Sequence, residues 1–115
     1  MNTVNRTALV ILVKMPMLEW INSCAYEESH KLTLSQVNDE AHTYLVDGID
    51  DSTDLKKIMK KHFKTIFENE MEAWITDESM WIENISIDLF FEFFEVYASS
   101  IVHDLSSEPL LLERL

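Results

Sequence analysis

Thr7-Ala-Leu-Val-Ile-Leu-Val13 is an unbroken run of aliphatic and β-branched side chains. A strand with one wet face alternates apolar and polar residues, whereas a strand covered on both faces has no need to. The run therefore predicts a strand near 7–14, central in its sheet. Pro16 follows where a first helical residue would stand, and its fixed φ suits that position. Leu18, Ile21 and Ala25 then recur at helical spacing, which predicts a short helix near 16–25.

Further along, His42-Thr-Tyr-Leu-Val46 is β-branched and aromatic and ends on the turn signal Asp47-Gly48, so a second strand is expected near 42–47. Strand, helix and strand in that order suggest a parallel, right-handed crossover. Thr33 and Gln36 match a capping box and predict a helical turn from Leu34. Asp50, Asp51, Ser52 and Asp54 supply capping groups and negative charge ahead of Leu55. From there Leu55, Ile58, Met59, Phe63, Ile66, Phe67 and Trp74 keep a helical rhythm, predicting a long amphipathic helix near 53–75. Trp81 to Ile85 reads as a connector. Ser86 then caps a last helix expected over 87–105, with Ile85 and Phe90 as its staple and Ile87, Phe90, Phe94, Tyr97, Ile101 and Leu105 on its inner side. These elements make an α+β fold of one domain over 1–115. The tail 106–115, with Pro109 and four leucines, is expected to pack on the body or on a partner.

Composition bounds the function. The 115 residues include one Gly, two Pro and 47% hydrophobic side chains, as in a packed globule. The longest apolar run, Ala8 to Val13, is far short of the roughly 20 residues of a membrane helix, and it lacks the small-residue cleavage site of a signal peptide. Cys24 is the single cysteine, so no internal disulfide can form and a reducing, cytoplasmic setting is expected. Twenty-one acidic against nine Lys and Arg residues give a formal charge of −12, which repels phosphate backbones and anionic membranes. Neither nucleic acid nor membrane is expected as a partner.

Motifs for chemistry are sparse. One glycine cannot build a phosphate-cradling loop. Asp47, Asp50, Asp51 and Asp54 lack calcium-loop spacing, and His30, His42, His62 and His103 show no zinc spacing with each other or with Cys24. No metal and no cofactor is expected. Cys24 has no base beside it in sequence and reads as a small hydrophobe. The candidates for acid–base chemistry are Glu70 and His62, which interrupt the apolar arc of the long helix about 12 Å apart along its axis. Glu92, Glu95 and His103, with Ser99, share one side of the expected last helix. A carboxylate facing a core needs a donor, so Glu70 is either a structural partner of a backbone or Arg group or a functional acid. Lys56, Lys57, Lys60, Lys61 and Lys64 place five of the nine basic residues near one helix start, against the dipole. Glu68 and Glu72 compensate only weakly. The lysines are either a solvated face or a basic docking strip.

Leu9-Val-Ile-Leu-Val-Lys14, Thr43-Tyr-Leu-Val46, His62-Phe63 through Phe67-Glu-Asn-Glu-Met71 to Trp74, and Phe93-Phe-Glu-Val96 through Asp104-Leu105 resemble a family of small acidic bacterial proteins with no assigned function. The resemblance implies a bacterial cytoplasmic protein and no known reaction. Taken together, the residues favour a non-enzymatic interaction or regulatory domain that binds a protein partner or itself. Three Trp, six Phe and six Met supply more large apolar surface than a small body covers, which favours a homodimer. The alternative is a small hydrolase or ligand-binding protein using the carboxylates and histidines named above. A third reading, an acidic mimic of DNA, rests on net charge alone.

Overall fold

The structure is a computed structural model and describes residues 1–48 and 54–114. The chain runs β1 (Asn2–Val4), β2 (Arg6–Val13), α1 (Met15–Ser23), a 3-10 turn (Glu28–His30), α2 (Leu34–Asn38), β3 (His42–Asp47) and α3 (Leu55–Trp74). A second 3-10 turn (Glu78–Met80), α4 (Ile87–Phe93), β4 (Phe94–Ser99) and β5 (Val102–Asp104) complete it. The class is α+β, as the sequence indicates. β2 is central, with β3 on one side and β4 on the other, and β1 pairs with β5 in a separate ribbon.

β2 buries Thr7, Leu9, Ile11 and Val13 on its helix-facing side and leaves Ala8, Val10 and Leu12 half-covered on the other. Both pairings of β2 are antiparallel, with Leu9 opposite Tyr44 and Ala98. The expected parallel crossover is therefore replaced by an antiparallel return. The reason lies in Asn38, the last residue of α2. Its Oδ1 accepts from the Val13 N–H at 2.8 Å and its Nδ2 donates to the Val13 carbonyl at 3.0 Å. That clamp brings the chain to the far end of β2, and β3 starts opposite Ile11 and runs back. Asn22 clamps the backbone of Leu32 in the same way, at 2.8 and 2.9 Å. Asn38→Ala removes two partly buried bonds and is expected to cost about 1–3 kcal/mol. Chemical denaturation checks this, and an unshifted midpoint would mean that the clamp contributes nothing.

The capping box on α2 is present, with Thr33 and Gln36 satisfying each other's backbone N–H groups. Asp54 caps α3 through the Lys57 N–H at 2.9 Å. Asp50, Asp51 and Ser52, expected as capping groups, lie outside the described residues.

The helix expected over 87–105 is a correction. Ser86 does cap it, accepting from the Leu89 N–H at 3.1 Å, but α4 ends at Phe93 and the chain continues as β4 and β5. Lys14 ends the helix: its N–H takes the Phe93 carbonyl at 2.9 Å and its ammonium takes the Phe91 carbonyl at 2.8 Å. Those last helical carbonyls have no partner inside the helix, and Lys14 supplies one from just past the end of β2. β2 also needs a second neighbour to satisfy its other edge, and the stretch from Phe94 provides it.

Phe67 is fully buried at the centre of the core, with ring centroids 6.0 Å from Phe90, 5.6 Å from Phe93 and 5.1 Å from Phe94. This aromatic knot ties α3 to the α4–β4 junction. Among the described residues the tail does not join the core: Leu110 to Leu112 are exposed, as is Leu105 just before it.

Candidate functional site

The seam between β3 and α3 gathers the polar residues of greatest interest. At its middle, the buried Glu70 carboxylate meets two inward side chains of β3. Its Oε2 lies 2.6 Å from His42 Nδ1 and accepts from the Tyr44 hydroxyl at 2.5 Å. Asn69 Nδ2 donates to the Tyr44 hydroxyl at 2.8 Å, closing the chain. Strand alternation puts His42, Tyr44 and Val46 on the helix-facing side, and α3 carries Glu70 over them. The sequence points to a backbone or Arg partner for Glu70, or to a functional acid; the partners are a histidine and a tyrosine, and His42 is absent from the acid–base candidates. A β3 facing a helix with one buried acid was the available signal, since an inward His or Tyr on that strand is the natural donor.

Burial, with the Glu70 carboxylate adding to it and the Asn69 amide opposing it, lifts the Tyr44 phenol far above its ordinary value. The phenol ionises near pH 10 in the unfolded chain. Stability from Tyr44 is thus fully present below about pH 10 and is lost as pH rises beyond it. Titration followed by phenolate absorbance should find one phenol appearing only with alkaline unfolding. Tyr44→Phe should delete it, whereas three phenols titrating together in folded protein would contradict the assignment.

His42 Nδ1 faces the Glu70 carboxylate, and the His42 side chain is 45% exposed. It opens on a groove of about 270 Å³ lined also by Gln36, Val37, Asp39, Glu40, Ala73 and Trp74. The opposite end of the seam is basic. Lys57, Lys61 and His62 line a groove of about 290 Å³ with Ile58 of α3 and Val46, Asp47 and Gly48 from β3 and its exit.

The structure divides the sequence candidates. Lys56, Lys57, Lys60, Lys61 and Lys64 are all exposed, and among the described residues the salt bridges are Lys31–Glu28 and His42–Glu70, neither of which involves them. Lys57 and Lys61 reach the β3 groove, while Lys64 lies on the other flank with Glu68, Met71 and Trp81. His62 is half-buried and lies in the basic groove, away from Glu70. Glu92, Glu95, Ser99 and His103 do not form one helical face: Glu92 is on α4, Glu95 and Ser99 on β4, and His103 on β5 opposite Thr3. Glu95 accepts instead from the exposed Tyr97 hydroxyl at 3.1 Å, which raises that phenol above its usual value. Among the described residues no three His, Cys, Asp or Glu side chains converge to hold a metal ion. No helix among them is long and apolar enough to cross a membrane.

A scan of family models, a search of curated proteins and a search of solved structures each found no match. Residues and their geometry alone carry the functional reading.

Proposed function

We propose that this chain is a cytoplasmic, non-enzymatic protein-interaction domain whose docking surface is the basic start of α3 beside β3. The observation that carries this is the set of five exposed lysines without a salt bridge among the described residues, on a chain of net charge −12. A cluster of like charges held on one helix against its dipole disfavours the free domain and is relieved by an anionic partner. An acidic segment of another protein fits that chemistry. Exposed charges of this kind contribute mainly to association rate and specificity.

The test is binding of a labelled six-residue peptide of alternating glutamate and valine, followed by fluorescence anisotropy. Reversing Lys56, Lys57, Lys60, Lys61 and Lys64 to Glu should weaken it by about tenfold, since five reversed charges at roughly 0.3 kcal/mol each come to about one decade. Wild-type binding should also weaken with added salt. Equal affinity of wild type and a folded variant would overturn the docking surface.

A second reading, a small ligand-binding protein or hydrolase, is favoured by His42. A half-exposed imidazole oriented through Nδ1 by a buried carboxylate is a usual acid–base arrangement. Self-association finds support in the exposed apolar side chains Leu45 and Tyr97 on the open sheet face and Leu110 to Leu112 in the tail. A monomer by light scattering at micromolar concentration counts against it.

A further inference from the structure

We infer that the partner binds as an added strand on the free edge of β3, an extended segment acidic at one end and basic at the other. This rests on the interaction reading above and names its partner class. β3 is the end strand of its sheet, hydrogen-bonded to β2 on one side only, so its other edge presents backbone donors and acceptors with no strand beside them among the described residues. An edge strand flanked by a helix is the geometry in which peptides extend a sheet, main-chain bonds supplying affinity and the helix supplying side-chain selection.

The dimensions agree. Six residues of β3 extend about 20 Å, and α3 from Ile58 to Trp74 covers about 24 Å. Charge sets the polarity. Lys57, Lys61 and His62 stand at the Val46–Gly48 end, and Asp39, Glu40 and the Trp74 ring stand at the His42 end. A segment with carboxylates at the first end and an ammonium or guanidinium at the second matches both, the cation also meeting an aromatic face. The other edge strand, β4, has Glu95 exposed on it and Glu92 just before it, and β5 follows it after two residues, so it offers no basic site to such a segment.

The experiment uses the intact chain and labelled six-residue peptides of valine alternating with charged residues, glutamate toward one end and lysine toward the other, made in both orders. Each is prepared unmodified and with N-methyl groups on one or the other alternate set of amides. One order should bind wild type about tenfold more tightly than the other. For that order, methylation of one alternate set should weaken binding by about tenfold or more and methylation of the other should leave it unchanged, because only every second residue of an added strand bonds to the edge. Equal effects of the two methylated sets would overturn strand addition while leaving the basic docking surface standing. Equal binding of every peptide to wild type and to the folded five-lysine reversal would overturn both.

Discussion

Phe67→Ala is expected to destabilise the domain by about 3–5 kcal/mol, the range for deleting a buried aromatic ring. Phe67 is fully buried and touches Phe90, Phe93 and Phe94 together. Removing it opens a cavity where α3, α4 and β4 meet, and edge-to-face ring contacts are lost in addition to buried area. A domain of this size has roughly 5–15 kcal/mol in all, so the variant should lose a large share of its stability. Urea denaturation reads this directly. A loss below about 1 kcal/mol would mean that the three helical and strand elements do not depend on that ring.

Glu70→Leu is expected to cost about 3 kcal/mol, because it strands the Tyr44 hydroxyl and the His42 N–H that now bond to one carboxylate oxygen. Tyr44 is the partly covered partner and His42 the wetter one, so most of the penalty falls on Tyr44. A double-mutant cycle separates the terms. Glu70→Leu with Tyr44→Phe replaces acceptor and donor by apolar groups and should cost less than the two single changes added, by about 1 kcal/mol or more. Strict additivity would place the energy of Glu70 elsewhere.

Much of the fold is legible in the sequence because local signals and packing agree there. The continuous apolar run of β2 marks a central strand, the helical rhythm from Leu55 marks α3, and Thr33–Gln36 and Ser86 mark helix starts that the structure contains. The stretch from Phe94 is ambiguous in sequence because Ile87, Phe90, Phe94, Tyr97 and Ile101 satisfy a helical period while Phe94, Val96 and Ala98 also alternate as a strand. Local periodicity cannot choose between the two. The deciding facts are distant: Lys14 takes the final helical carbonyls, and β2 requires a neighbour on each side. A central β2 with one other strand leaves an edge unpaired, and β4 fills it. The antiparallel course of β3 was hidden for a similar reason, since Asn38 acts on Val13 across 25 positions.

The site was half legible. Glu70 stood out as an acid in an apolar arc, and the lysines stood out by number, but His42 looked like an ordinary strand residue until β3 faced α3. The cluster expected around His103 failed because it depended on the helix that does not form.

The most direct test of the docking surface is an amide chemical-shift titration of the isotope-labelled chain with the six-residue glutamate–valine peptide. The account predicts shifts that cluster at residues 42–48 and 55–64, along β3 and the first turns of α3. Shifts confined to 87–114, or no shifts at saturating peptide, would contradict it.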